Sequence, residues 1–222
     1  MKGTPPMPKV MPINRREWAR QLGLSNFINA YYQYRDVQEI GGCKTVLIVG
    51  PGQGLERVVF EWRGFEVTTV DIDRTFSPDY VGSVHDLKEF VSGQFDVVMA
   101  SHVLEHLAES YLDPALRELA RVGKYAIIYL PVHGKHIQWR FMTGARKVDL
   151  SVVWDLFNFL KRADGMSPRY MSGQHFWEVG LRGFKVKDMK VRFSAFFEIL
   201  HVYRNRDWLP SINFVLKSMR TE

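Results

Sequence analysis

Three alternate glycines and a later acidic residue have the types and spacing of a nucleotide-binding turn. Gly50, Gly52 and Gly54 follow an apolar β-branched run, and a second apolar run ends on Asp71. Glycine tolerates positive φ and, having no Cβ, lets a ligand approach the backbone. An acid at the end of the next strand can accept hydrogen bonds from both hydroxyls of a ribose. The pattern therefore predicts a βαβ unit that binds an adenosine-containing ligand.

The glycine spacing separates this turn from two other nucleotide-binding motifs. The dinucleotide fingerprint G-x-G-x-x-G places its third glycine one position later, where this chain has Leu55. No G-x-x-x-x-G-K-[ST] phosphate-binding loop occurs in the sequence. The spacing therefore argues against an NAD-dependent oxidoreductase and against a nucleoside triphosphatase.

Two further segments follow the glycine turn along the chain. Residues 95–107 read FDVVMASHVLEHL, and residues 125–131 read YAIIYLP. Together with the G-x-G-x-G turn and Asp71, these segments resemble the class I S-adenosylmethionine (SAM)-dependent methyltransferases, in particular their type-11 branch. The resemblance covers roughly residues 44–131, and it does not name a substrate.

The resemblance implies SAM-binding residues at the ends of successive strands. The backbone of the three glycines would line the methionine and ribose side of the ligand. Asp71 would accept the ribose hydroxyls, with Asp73 as the alternative because the end of a strand can shift by a residue or two. Asp86 would accept from the adenine amino group, with Leu87 packing nearby. Asp86 could also cap a helix that begins at Leu87.

The end of the fourth expected strand carries polar side chains that would face the same ligand. Ser101 and His102 would reach the methionine end of SAM, since ligands of α/β sheets bind outside the carboxyl ends of the strands. His102, Glu105 and His106 could also suggest a metal site. That cluster lacks a third ligand at a recognised spacing and is not an H-E-x-x-H helix, so no metal is expected.

Histidines after the strands are the candidate general bases. Methyl transfer from a sulfonium is an in-line displacement, to which a protein contributes alignment and desolvation. An oxygen or nitrogen acceptor must also lose a proton, and histidine suits that task near neutral pH. The candidates, in order, are His133, His106 and His136, with His175 as a fourth. His133 leads because it lies two residues beyond the fifth expected strand. Each could instead be a solvated loop histidine.

These residues can meet only if parallel strands bring them to one edge of a sheet. Short apolar runs alternate with helical stretches, which predicts an α/β fold with helices on both faces. The resemblance implies a Rossmann-like seven-stranded methyltransferase sheet, mostly parallel, with an antiparallel C-terminal hairpin. Strands are expected near 45–49, 66–71, 81–84, 95–100, 124–130, 184–191, 196–203 and 212–217. Helices are expected near 53–63, 86–92, 110–121, 151–162 and 174–181.

The chain is expected to divide into an N-terminal part and one larger domain. Residues 1–40 would combine a proline-rich arm with helices that cover the cofactor. Residues 41–222 would form the SAM-dependent methyltransferase domain, with a lid insertion at about 132–173. Three tryptophans could stack on a sugar ring if the acceptor were a glycan: Trp139, Trp154 and Trp177.

Composition bounds the compartment of the protein. Its 222 residues suit one α/β domain, and its single cysteine excludes an intrachain disulfide framework. The N-terminus lacks the apolar stretch of a signal peptide, and no apolar run approaches the roughly 20 residues that span a bilayer. We therefore expect a cytoplasmic protein with no membrane span. The sequence does not indicate an oligomeric state.

The acceptor is expected to be a small molecule or a glycan that is methylated on oxygen. Residues 130–133 read Leu-Pro-Val-His, which lacks the [DN]-P-P-[YF] motif common in enzymes that methylate nucleic-acid amines. A net charge of +6 and a sequence pI near 9.4 keep an RNA methyltransferase as an alternative. A non-catalytic SAM-fold binding module is a third possibility. The retained glycines, Asp71 and Asp86 argue against it.

Overall fold

A computed structural model describes residues 23–143, 146–154, 175–208 and 210–219, with side chains described outside 135–154. Among these residues, no helix is both long and apolar enough to cross a membrane. The four helices in this part of the chain are α1 (Leu24–Ile40), α2 (Leu55–Trp62), α3 (Glu109–Val122) and α4 (Val186–Phe193). The strands are β1 (Thr45–Val49), β2 (Glu66–Asp71), β3 (Tyr80–Val81), β4 (Phe95–Ser101), β5 (Gly123–Pro131), β6 (Lys135–Thr143), β7 (Arg146–Trp154), β8 (Phe197–Arg204) and β9 (Ser211–Ser218).

Seven of the strands form one mixed sheet in the order β3-β2-β1-β4-β5-β9-β8. The first five are parallel neighbours, whereas β9 runs antiparallel to both β5 and β8. Val49 pairs with both Val70 and Ala100, and Ser101 pairs with Tyr129. The carboxyl ends of β2, β1, β4 and β5 therefore lie along one edge, and the predicted fold class is confirmed.

The central strands are apolar on both faces because helices cover both sides of the sheet. On one side, buried leucines of α3 pack with alternate residues of β4 and β5. On the other side, Val37 of α1 and Phe60 of α2 pack with the opposite set of strand residues. Each fully buried aliphatic side chain of this kind contributes about 1.5–3 kcal/mol. The two packed layers hold the carboxyl edge of the sheet in place.

A buried carboxylate joins α1 to the sheet. Asp36 accepts hydrogen bonds from the Tyr129 hydroxyl of β5 at 2.7 Å and from the Tyr203 hydroxyl of β8 at 2.6 Å. Arg35 also donates to Asp36 at 2.9 Å. Burial, with the neighbouring Asp36 charge, raises the pKa of both tyrosines, so their hydroxyls remain donors. The helix is thereby tied to β5 and to β8, the last strand of the sheet.

The helix expected over 86–92 is absent, and side chains of α3 explain why. The Leu87 N–H donates to Glu118 Oε2 at 2.9 Å. Arg121 donates to the carbonyls of Phe90 at 2.7 Å and Leu87 at 2.9 Å. Backbone groups that would be hydrogen-bonded within a helix are thus hydrogen-bonded to the side chains of Glu118 and Arg121, which form an ion pair. The strand expected over 81–84 is also shorter, since β3 ends at Val81.

The C-terminal expectations are wrong at two elements and right at two. Residues 184–191 were expected as a strand, but α4 occupies most of this range, with Met189 and Phe193 buried four residues apart. The Lys185 N–H donates to Asp188 Oδ2 at 3.0 Å, which caps this helix. Residues 175–181 are irregular instead of helical. The strands expected near 196–203 and 212–217 are confirmed as β8 and β9.

The insertion after β5 contains a separate two-stranded sheet. Strands β6 and β7 pair antiparallel, with Lys135 opposite Trp154 at one end and Thr143 opposite Arg146 at the other. The helix expected near 151–162 is therefore wrong over 151–154, and its remainder lies outside the described residues. The function of the insertion as a lid stays a prediction.

Candidate active site

The predicted glycine turn connects β1 to α2 at the carboxyl edge of the sheet. Gly50, Gly52 and Gly54 have φ values of +64°, +50° and +78°. A Cβ on residue 50 would lie 2.6 Å from Cγ2 of Val103, so this position needs glycine for both conformation and space. A Cβ on residue 54 would meet nothing within 4 Å. The turn thus presents bare backbone to open space where α2 begins.

Asp71 and Asp73 follow β2 and have different local roles. Asp71 is 9% exposed, and its Oδ1 accepts the Asp73 N–H at 2.8 Å. Burial raises the pKa of Asp71, although backbone N–H groups, including that of Gly52, oppose the shift. Asp73 accepts from the Thr75 N–H at 2.8 Å and so caps the short 3-10 turn 74–76. Asp71 is therefore the acid that lies beside the glycine turn.

Asp86 and Leu87 are held by the loop that replaces the expected helix. The Asp86 side chain is 53% exposed, with one oxygen 3.3 Å from Lys88 Nζ. Since no helix begins at Leu87, the helix-cap interpretation of Asp86 is wrong. Leu87 is 1% exposed in the core, and its N–H is paired with Glu118. Neither the side chain nor the backbone N–H of Leu87 is therefore available to a ligand.

The end of β4 places Ser101 and His102 at the same edge. Both residues are half-buried, and the His102 N–H donates to the Tyr129 carbonyl at 2.9 Å. His102 has a φ of +55°, an uncommon conformation for a residue with a Cβ. Such strain costs on the order of 1–3 kcal/mol and is concentrated at functional sites. It directs the imidazole toward Glu105, where Nδ1 lies 3.4 Å from Oε1.

Glu105 is a wholly buried carboxylate surrounded by histidines. It belongs to the 3-10 turn 104–106 after β4 and is 0% exposed. Burial alone would raise its pKa, but His102, His106 and His175 outweigh burial and lower it. The ring centroids of His106 and His175 are 4.8 Å apart in an edge-to-face arrangement. Three imidazoles and one carboxylate therefore share a small volume beside the sheet edge.

Glu178 bridges two more histidine nitrogens in the same region. His133 Nδ1 donates to Glu178 Oε2 at 2.9 Å, and His175 Nδ1 donates to Glu178 Oε1 at 2.8 Å. Burial would raise the pKa of Glu178, but the two histidine hydrogen bonds lower it to about 2. His133 itself is 4% exposed. An ionised, doubly hydrogen-bonded carboxylate thus fixes both rings.

Residues 175–180 reach this position through long-range backbone pairing. The His133 N–H donates to Val179 O at 2.8 Å, and the Val179 N–H donates to Pro131 O at 3.0 Å. The Phe176 N–H donates to Glu105 O at 2.8 Å. These bonds replace the helix expected over 174–181 and bring Glu178 beside the end of β5.

The structure brings together three of the four histidines proposed as bases. His133, His106 and His175 lie in one cluster, whereas His136 is on β6 and its side chain lies outside the description. Sequence reasoning missed Glu178, although its spacing of three residues from His175 was visible. Trp177 is 1% exposed and stacks on Phe184, so it cannot stack on a sugar. The side chains of Trp139 and Trp154 are not described.

Comparison with known proteins identifies the domain. Residues 47–126 match a protein-family model described as a methyltransferase domain. This segment runs from within β1 to within β5 and includes the glycine turn, Asp71 and Glu105. Over this segment the chain is similar to SAM-dependent methyltransferases, and its sheet has the class I methyltransferase fold.

Solved structures share the fold of this chain at low sequence identity. A protein of Pyrococcus horikoshii OT3 is 15% identical with a TM-score of 0.57, covering 90% of this chain and 93% of that one. A Burkholderia thailandensis 1,6-didemethyltoxoflavin-N1-methyltransferase, bound to 1,6-didemethyltoxoflavin and S-adenosylhomocysteine, is 15% identical with a TM-score of 0.54, covering 96% and 94%. The glycopeptide N-methyltransferase MtfA, complexed with S-adenosylhomocysteine, is 12% identical with a TM-score of 0.56, covering 96% and 100%. A sequence comparison with curated proteins yields no match.

Proposed function

We propose that this methyltransferase transfers the methyl group of SAM to a hydroxyl oxygen of a small-molecule or glycan acceptor, with His133 as the general base. The observation that carries the proposal is the hydrogen bond of 2.9 Å between His133 Nδ1 and the buried Glu178 carboxylate. The pair lies at the carboxyl end of β5, on the sheet edge that holds the glycine turn.

The residues at this edge fit SAM, which supplies a methyl group on a sulfonium. The backbone of Gly50, Gly52 and Gly54 would hold its methionine and ribose side, with open space beside Gly54. Asp71 would accept the ribose hydroxyls, since its buried carboxylate gains charge-assisted hydrogen bonds there. We also assign Asp86 to the adenine amino group and Ser101 and His102 to the methionine end. Asp73 remains the alternative ribose acceptor, and Leu87 has no group to offer.

Glu178 would give His133 the tautomer that a general base needs. An ionised carboxylate can only accept, so His133 Nδ1 carries the hydrogen, and Nε2 carries the lone pair. Nε2 would take the hydroxyl proton as the oxygen–carbon bond forms and the carbon–sulfur bond breaks. A positioned base of this kind contributes about 10²–10⁴-fold to the rate. His106 is the second candidate, because it is half-buried and lies in the same cluster.

Elements around the edge would close the site. Gln33 of α1 donates from Nε2 to Glu56 Oε1 of α2 at 3.5 Å, which supports α1 as a cover over the glycine turn. We propose the insertion that contains β6 and β7 as the acceptor lid. The single cysteine supports a reducing compartment such as the cytoplasm.

Two structural neighbours that are named for their acceptors support the acceptor class. The Burkholderia thailandensis enzyme is a 1,6-didemethyltoxoflavin-N1-methyltransferase, and MtfA is a glycopeptide N-methyltransferase. Leu-Pro-Val-His at 130–133, in place of [DN]-P-P-[YF], argues against a nucleic-acid amine as the acceptor. RNA is the alternative acceptor suggested by the basic composition.

A screen with methyl-labelled SAM tests the proposal. Hydroxylated small molecules, glycans and total RNA are incubated with the full chain, and label is followed into each pool. For a labelled acceptor, His133→Gln should lower kcat by about 10²-fold or more with little change in SAM affinity. His201→Gln, an exposed histidine of β8, is the matched control. Label only in RNA, or full kcat in His133→Gln, would overturn the assignment.

A further inference from the structure

We propose that Glu105, His106 and His175 bind a divalent transition-metal ion. One candidate ligand atom from each of the three lies within 4.8 Å of the other two. Sequence spacing did not suggest this set, because His175 is far from the other two along the chain. The backbone bond from Phe176 N–H to Glu105 O, at 2.8 Å, brings the two segments together.

The state of Glu105 is the first argument for a cation. Its side chain is wholly buried, and within the part of the chain described neither carboxylate oxygen accepts a hydrogen bond. Burying an ionised carboxylate without a partner is costly. His102 Nδ1 is 3.4 Å from Oε1, close enough for attraction but without a hydrogen bond. A bound cation would supply the coordination that the Glu105 oxygens lack.

The partner of His175 is the second argument. Its Nδ1 donates to Glu178 Oε1 at 2.8 Å, which leaves the lone pair on Nε2. Metal-binding histidines usually donate their other nitrogen to a carboxylate, and that bond fixes the tautomer and the ring orientation. Glu178 would thus orient a ligand through one oxygen and His133 through the other.

The ligand set indicates which ions would bind. Two imidazoles and one carboxylate suit zinc and neighbouring first-row metals better than magnesium or calcium, which prefer oxygen ligands. Three protein ligands leave a fourth position for water or an acceptor atom, as in catalytic zinc sites. His106 is half-buried, so the site has a side that is not closed by Glu105 and His175.

Metal binding to the full chain, first stripped with a chelator, tests the site. Cobalt(II) is titrated while its visible absorption is recorded, and zinc(II) is titrated in a calorimeter. We expect about one ion per chain, with d–d bands of a tetrahedral or five-coordinate cobalt complex. His106→Ala and Glu105→Gln should each weaken binding by on the order of 100-fold, and Glu178→Gln by about 10–100-fold.

His201→Ala is the matched control, since it removes an exposed histidine outside the cluster and should leave binding unchanged. Circular dichroism checks that each variant folds, and His106→Ala carries least risk because its side chain is not fully buried. No saturable binding by the wild type would overturn the proposal. So would unchanged affinity in both His106→Ala and Glu105→Gln. Because no acceptor is used, this result is independent of whether the chain methylates a hydroxyl.

Discussion

The pKa values of two buried carboxylates at the candidate site, Glu178 and Asp71, are shifted in opposite directions. Burial would raise the pKa of Glu178, but hydrogen bonds from His133 and His175 lower it to about 2, so its charge is balanced within the protein. Burial raises the pKa of Asp71, and backbone N–H groups only partly compensate. Ionisation of Asp71 therefore has a cost to the fold. A residue kept in a costly state is expected to bind something.

Replacement of Asp71 by Asn should weaken SAM binding and slightly stabilise the protein. A raised pKa in the folded state means that ionisation, as the pH rises above about 4, destabilises the fold. Asn removes that charge and can still accept the Asp73 N–H. Loss of charge-assisted bonds to the ribose should raise the Kd for SAM by about 10–100-fold. Calorimetry with SAM and thermal unfolding at neutral pH measure the two effects.

Asp73→Asn is the comparison for that variant, because Asp73 is equally buried but caps the 3-10 turn. It should change SAM affinity less than Asp71→Asn does. If Asp73→Asn were the more damaging of the two, Asp73 would be the ribose ligand. If neither changed the Kd for SAM, both assignments would fail.

Among the secondary-structure elements, some could be predicted from the sequence and others could not. Strands β1, β2, β4 and β5 were located within a few residues, because apolar runs buried on both faces have few alternatives. Helix α4 was expected to be a strand because its lysines alternate with apolar residues. Val186, Met189 and Phe193, however, have the spacing of a helix. Its cap, Asp188, was the signal that could have decided between them.

The cluster of histidines and acids was only partly readable for a physical reason. His102, Glu105 and His106 are neighbours in the sequence and were noticed together. Glu178 pairs with His133 across 45 residues, and backbone bonds to β5 and to Glu105 position it. Such pairing depends on the packed fold and leaves no local pattern, so a sequence alone could not predict it.

At the opposite edge of the sheet, Asp96 joins the starts of two strands. It accepts from the N–H groups of Lys44 and Thr45 at 2.8 and 3.1 Å and from Lys124 Nζ at 2.7 Å. Burial would raise its pKa, but these bonds lower it well below the usual range. The stability that Asp96 contributes is therefore present above its unfolded pKa of about 3.9 and is lost as the pH falls further.

Asp96→Asn should lower the free energy of unfolding by about 2 kcal/mol at pH 7. The difference from wild type should shrink as the pH falls below about 4, because the wild-type carboxylate is then protonated in the unfolded chain. Urea unfolding at a series of pH values measures this difference. Glu66→Gln, an exposed acid at the start of β2, should show no such trend. A constant difference across the series would mean that the Asp96 charge is not responsible.

At the scale of the whole molecule, α1 is part of the core of the fold. Its buried face runs from Asn29 to Val37, and Val37 packs in the same cluster as the central strands. Asp36 binds Tyr129 and Tyr203, on two strands that adjoin opposite sides of β9. A boundary at residue 40 would therefore cut through the core. We expect the isolated segment 41–222 to lose cooperative unfolding, since Val46, Tyr129 and their neighbours would be exposed.

The point variant Asp36→Ala tests this coupling in the full chain. It removes the carboxylate that both Tyr129 and Tyr203 hydroxyls donate to and leaves them with their mutual contact of 3.0 Å, and a buried group that loses its partner costs about 1–3 kcal/mol. We expect a loss of about 3 kcal/mol in the free energy of unfolding, read from the urea midpoint. SAM affinity should also fall, because α1 meets the start of α2 through Gln33 and Glu56. Glu39→Gln, on the exposed side of the same helix, should change stability by no more than about 0.5 kcal/mol. If Asp36→Ala matched that control in both stability and SAM affinity, α1 would be an appendage and the sheet alone would hold the site together.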